Sequence, residues 1–227
     1  MQQLILDVLQ TAAPTLDNFV AGPNAEPLAV ARSLASGSRP ARTVLFHGPR
    51  GSGKSHLLTA IASSAQGAGR WLDPADPAGF DPPEGPTLLF ADDVEQWDED
   101  GLALLFLLLN LLRARGDVTV VLTSQQPPAG LGMRDDLRTR LAAGLVMGLR
   151  LLDDEDKKLA LRHHASARGI RPDDQINDWL LAHQDRDIRH LLAYLEALDR
   201  YALASHRPIS LRLLHDFERN GRPSTSG

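Results

Sequence analysis

The chain has 227 residues, 43% of them hydrophobic and 23% charged, with a formal net charge of −5 and no cysteine. That length supports one sizeable core and a smaller satellite. The missing cysteines exclude a disulfide framework and a thiolate metal site and fit a reducing cytoplasm, and the acidic balance argues against wholesale binding to a nucleic-acid backbone.

The first segment, "MQQLILDVLQ", has no Lys or Arg before its apolar run and is interrupted by Asp7, which does not fit a secretory signal. An apolar segment of this kind either packs on its own domain or occupies a partner's groove. Pro14 to Asn24 reads as loop and Ala25 to Ala35 as a short helix. "RTVLFHG" (Arg42 to Gly48) reads as a buried strand, and Gly53 to Gln66 as a helix. Gly69 to Asp73 is a short strand, and the Pro-rich Pro74 to Pro86 is a loop. "TLLFADD" (Thr87 to Asp93) is an apolar strand ending in two carboxylates. The stretch Leu102 to Leu112 spans only 11 residues, where a membrane crossing needs about 20, so it reads as a core helix reaching Ala114.

Asp117 to Ser124 is β-branched and strand-like. A short helix near Asp135 to Ala143 and a strand near Leu145 to Leu151 close this half. Strands alternating with helices predict a parallel three-layer α/β base. From Asp153 onward the spacing is helical throughout, with Asp153 or Asp154 able to cap the first helix and Gly169 able to end it. The expected organisation is a peptide at 1–13, an α/β base at 14–151, a smaller all-helical lid at 152–219 and a tail at 220–227 that is disordered by composition.

"GPRGSGKS" matches the P-loop pattern in full and stands between a strand and a helix. The backbone of Gly48, Pro49, Arg50, Gly51, Ser52 and Gly53 can curl its N–H groups around phosphates. Lys54 reaches the β- and γ-phosphates and the Ser55 hydroxyl meets Mg²⁺. Asp92, at the end of a neighbouring buried strand, suits the Mg²⁺ water shell. Asp93 follows where many ATPases carry a water-orienting glutamate; being one methylene shorter, it predicts slow hydrolysis in cis. Arg140 and Arg189 could reach phosphates from a sheet edge or a lid, although spacing alone equally makes each an ordinary surface arginine. The adjacent His163 and His164 point to different helix faces and do not suit a metal.

The order "NFVAGPNAE", "GPRGSGKSHLL", "LLFADDVE", "TSQQPP", "DLRTRLAAGL", "LLDDEDKKLAL" and "DIRHLLAYLEALDR" resembles the AAA+ module of DnaA-like ATPases over nearly the whole chain. Within them it resembles the Hda-like regulators that inactivate DnaA. The resemblance implies an AAA+ P-loop base with a helical lid and ADP or ATP with Mg²⁺ held between them. It places Phe19, Val20 and Asn24 around the adenine, His56 next to the P-loop, and Gln125 near the sensor-1 position. Arg189 falls at the sensor-2 position of the lid, and Arg140 at the arginine finger given in trans.

It further implies that Gln3, Leu4, Leu6 and Val8 dock on the β sliding clamp, DnaN. The expected partners are then that clamp and DnaA, with a homo-oligomer also allowed, and the expected outcome is that DnaA hydrolyses its ATP and re-initiation of replication is blocked. The interval Pro74 to Pro86 lacks the basic helical insertion with which DnaA grips single strands, so strong direct DNA binding is not expected. Two rivals remain: a DnaA- or helicase-loader-type ATPase acting directly on DNA, and a small-molecule P-loop kinase.

Overall fold

The computed structural model describes residues 13–65, 69–85, 87–167 and 174–221. The N-terminal peptide, the Gly169 helix stop and the end of the tail lie outside the described residues. The chain forms two compact units, one spanning Pro14–Leu151 and the other beginning at Leu152.

The first unit is built on five parallel strands: β1 (Thr43–His47), β2 (Gly69–Trp71), β3 (Thr87–Ala91), β4 (Val118–Ser124) and β5 (Leu145–Gly148). Their order across the sheet is β2-β3-β4-β1-β5. β1 lies between β4 and β5, with Leu45 beside Leu122 and Val146. Four helices accompany the sheet: α1 (Ala25–Ala35), α2 (Lys54–Ser64), α3 (Glu99–Leu111) and α4 (Asp135–Ala142).

Strand alternation divides the core into two layers. Leu45, Leu89, Ala91, Val120 and Leu122 face one side, where Leu105, Leu108 and Leu109 of α3 and Leu137 and Leu141 of α4 cover them. Val44, Phe46, Leu88, Phe90 and Val121 face the other, against Leu28 and Leu34 of α1 and Leu57, Leu58 and Ile61 of α2. Both faces are therefore closed, which is why the strands read as unbroken aliphatic runs.

Several boundaries differ from the sequence reading. The Leu-rich helix starts earlier, at Glu99, because the Asp98 carboxylate accepts from the Gly101 N–H at 2.8 Å and caps a polar first turn. It tightens into a 3₁₀ turn at Leu112–Ala114. The Pro-rich loop contains a 3₁₀ turn, Pro77–Phe80, that buries Phe80 against Trp97. The last strand stops at Gly148.

The second unit is helical: α5 (Asp154–Ala167), α6 (Asp174–His183), α7 (Ile188–Ser205) and α8 (Leu211–Gly221). Asp153 caps α5, its carboxylate accepting from the Asp156 N–H at 2.8 Å. The core joins Leu161, Ile176, Leu180, Leu191, Leu195, Leu198, Leu213 and Leu214. His164 pairs with Glu196 at 2.9 Å. Among the described residues no helix is long and apolar enough to cross a membrane.

Candidate functional site

The P-loop leaves the C-terminal end of β1 and turns into α2. Two glycines are required by geometry. A side chain on Gly48 would meet the Leu149 carbonyl oxygen at 2.3 Å. Gly53 stands at φ +98° as the residue before α2, with the Phe19 ring edge 2.7 Å from where its Cβ would be. Because glycine leaves the start of α2 with no side-chain cap, its first N–H groups are available to an anion.

Lys54 is 6% exposed and its Nζ donates to the carbonyls of Gly48 at 2.9 Å and Pro49 at 3.3 Å. The Ser52 hydroxyl is buried without a partner, a polar group awaiting one. Ser55 Oγ donates to Asp92 Oδ1 at 3.2 Å, so the hydroxyl and the carboxylate that a Mg²⁺ site requires are already adjacent.

Thr123, on the neighbouring strand β4, joins the two carboxylates. Its Oγ1 donates to Asp92 Oδ1 and accepts from the Asp93 N–H at 2.7 Å. Asp93 is held in the left-handed region, φ 45° and ψ 52°, and its Oδ2 accepts from Gln96 Nε2 at 3.0 Å. Burial raises the Asp93 carboxyl above the ordinary carboxylate range; the charges of Asp92 and Glu95 add to this, and those of Lys54 and Arg50 oppose it. Glu95 completes the cluster, its Oε1 accepting from the Gln125 N–H at 3.0 Å. Gln125 follows Ser124, whose carbonyl receives the Gly48 N–H at 3.1 Å. The acidic strand end, Gln125 and the P-loop thus share one rim of the sheet.

Arg140 sits at the other rim. Its guanidinium carbon lies 5.3 Å from the centre of the Phe106 ring, and Arg134 approaches the same ring at 5.5 Å. Arg140 borders a cavity of about 890 Å³ with Phe106 of α3 and with Arg42, Thr43 and Gly144, which stand at or just before the starts of β1 and β5. Between this rim and Gly48 runs the length of β1, roughly 13 Å at 3.3 Å per residue. Arg140 and the P-loop of its own chain thus stand at opposite rims of the sheet.

The model of the Hda lid domain matches residues 154–216. Domain III of the Thermotoga maritima replication initiation protein DnaA superimposes with a TM-score of 0.70 at 22% identity, covering 91% of this chain and 97% of that one. AMPPCP-bound DnaA from Aquifex aeolicus gives 0.69 at 20% identity, covering 92% and 69%. The Thermotoga maritima RuvB Holliday junction branch migration motor gives 0.65 at 20% identity, covering 96% and 76%. The chain shares the fold of DnaA domain III and RuvB, and residues 154–216 carry the match to the Hda lid domain.

The other expected site residues divide into two groups. Phe19 lies against Gly53 and meets His56 edge-on at 5.4 Å, while His56 Nε2 lies 2.9 Å from the Thr15 carbonyl; Val20 beside them is half-buried. Phe19 and His56 are thus brought to the P-loop. Asn24 is fully buried, and both ends of its amide are used: Nδ2 donates to the Arg150 carbonyl at 2.9 Å and Oδ1 accepts from the Arg150 N–H at 2.7 Å. Its side chain latches the loop before α1 to the segment after β5.

Arg189 belongs to the helical unit and makes a two-point pair with Asp187, Nη2–Oδ2 at 2.8 Å and Nε–Oδ1 at 3.2 Å. Thr123 and Glu95 were not singled out by the sequence. Thr123 had a signal, a hydroxyl at the end of the aliphatic run "VTVVLTS". Glu95 had none, since its partner lies 30 residues away.

Proposed function

We propose that this protein is a nucleotide-binding regulator of DnaA, and that it works by delivering Arg140 to an ATP site on another molecule. The observation that carries the reading is the separation of the two chemistries: the P-loop closes one rim of a parallel sheet, and Arg140 stands at the opposite rim. The lid match supports a regulator of the Hda type.

The P-loop holds ADP or ATP with Mg²⁺, as AMPPCP is held in the Aquifex aeolicus DnaA. The open start of α2, the orphaned Ser52 hydroxyl and the Ser55–Asp92 pair fit that group. Gly48–Ser55 cradle the phosphates, Lys54 exchanges its loop carbonyls for phosphate oxygens, and Ser55 with Asp92 holds the metal. The metal supplies charge neutralisation at the phosphates. Phe19, Val20 and His56 line the approach to the P-loop.

Gln3, Leu4, Leu6 and Val8 tether the molecule to the β sliding clamp, which raises its local concentration beside DnaA. Arg140 then stabilises charge on the transferring phosphoryl group in the DnaA site. Arginine fingers supplied in this way are worth roughly 10³–10⁵ in rate.

The deciding assay measures ATP hydrolysis by DnaA with clamp loaded on DNA. R140A keeps ADP binding and loses the stimulation, and deletion of residues 1–8 loses clamp retention while leaving the melting curve intact. Undiminished stimulation by R140A removes the finger. A salt-sensitive shift of DNA by the isolated chain favours the DNA-acting loader instead.

A further inference from the structure

We propose that Thr123 is a positioning residue for the metal side of this site: its hydroxyl fixes the carboxylate of Asp92 in the orientation that Mg²⁺ with a bound nucleotide requires. The proposal rests on reading Gly48–Ser55 as a nucleotide site. The register of the sheet explains the placement. Ala91 stands beside Leu122, so the residues that follow, Asp92 and Thr123, meet just as β3 ends. On its other side Thr123 is level with Phe46 of β1. Thr123 is thus held between two strands and is 0% exposed, in a strand buried along all 7 of its residues. An aliphatic side chain would suit such a position, and a hydroxyl there is costly unless it is bonded.

That hydroxyl spends its bonds on the acidic strand end. A peptide N–H can only donate, so the Asp93 N–H at 2.7 Å uses the Thr123 oxygen as an acceptor. The hydroxyl's own hydrogen is left for Asp92 Oδ1, and its direction is set by the backbone. Ser55 Oγ reaches the same oxygen at 3.2 Å, from an exposed place in the first turn of α2. Asp92 is half-buried, and among the described residues no group donates to its Oδ2. Thr123 therefore pins one oxygen of the carboxylate from inside the sheet and leaves the other for the metal's water shell.

The same hydroxyl also steadies the next residue. Asp93 stands in the left-handed region, φ 45°, which residues with a side chain keep only where their surroundings impose it. Thr123 holds its N–H, and Gln96 holds its carboxylate at 3.0 Å. One buried oxygen thus sets the side chain of one acid and the backbone of the other. Groups of this kind tune a metal site without touching the metal, and their removal typically costs about 10–100-fold in metal affinity.

The test uses the full chain and fluorescently labelled AMPPCP, titrated once in EDTA and again across a range of Mg²⁺ concentrations. In EDTA, T123V should bind within about twofold of the parent, while the Mg²⁺ concentration that half-completes the tightening should rise about tenfold. T123S and T123A both lack the methyl group and differ from each other only in the oxygen. T123S should keep the parent's Mg²⁺ midpoint and T123A should shift as T123V does, which decides the matter if T123V melts early. A parent-like midpoint in T123V or T123A overturns the role of Thr123. So does a T123S midpoint that moves as far as that of T123A, or a loss of equal size with and without Mg²⁺, since either result means packing alone. A parent whose binding ignores Mg²⁺ overturns the proposal and leaves the nucleotide site standing. A parent that binds no nucleotide overturns both.

Discussion

Lys54 is bonded to the loop that it belongs to. Its ammonium is satisfied by two carbonyls, Gly48 and Pro49, although almost no solvent reaches it. A phosphate must outbid those carbonyls, and a charged hydrogen bond to an anion does so because both partners carry charge. K54A should therefore weaken ADP binding by about 10–100-fold, from the roughly 1.5–3 kcal/mol of a charge-assisted bond. The check is titration with fluorescent ADP, together with loss of the ADP-dependent rise in melting temperature that the parent shows. The chemistry of the P-loop was legible because phosphate binding dictates residue types at fixed spacing, down to Gly53 before the helix. The contacts of Glu95 and Thr123 were not, because they come from β3 lying beside β4. That adjacency is a property of the sheet, and no short window of residues carries it.

At the scale of elements, apolar periodicity located every strand and helix of the α/β unit but placed their ends less well. α1 runs Ala25–Ala35, as its spacing predicts. α3 begins three residues before the apolar run because Asp98 recruits Glu99, Asp100 and Gly101 into the helix, and a polar first turn gives no periodic signal. The Asn24 latch was likewise invisible: the "GPN" before α1 reads as turn chemistry, while its partner Arg150 lies 126 residues away. N24A strands the Arg150 N–H and carbonyl in a part-buried setting. Losing two such bonds should cost about 2–3 kcal/mol. Urea unfolding of the ligand-free protein measures it, and a shift of the midpoint below the equivalent of about 0.5 kcal/mol would show that water replaces the amide without loss.

Over the whole chain, the two units should respond to acid differently. In the helical unit the carboxyls of Asp187, Asp154 and Asp216 are all held below the usual carboxylate range, by hydrogen bonds from Arg189, from Arg186, and from Arg207 and Arg219. Groups whose folded value is depressed add stability that is complete above the unfolded value of 3.8 and is lost as pH falls below it. Exposure makes each contribution small, but all three share one sign. In the α/β unit one carboxyl, Asp117, is likewise held low by Arg115, but Asp93 has the opposite sign: its folded value is raised above 3.8, so that unit sheds this repulsion as pH drops. Between pH 5 and about pH 3 the helical unit should therefore lose protection first. Hydrogen exchange read unit by unit tests this; equal loss in both units would mean that these ion pairs are too screened to matter.

The parallel sheet has one further consequence. Because every strand points the same way, the rim with the P-loop and the rim with Arg140 can never coincide on one α/β unit. A contact that seats Arg140 on a neighbour's nucleotide joins unlike surfaces and leaves the donor's own P-loop rim open. Such a junction has a direction and does not close as a symmetric pair would.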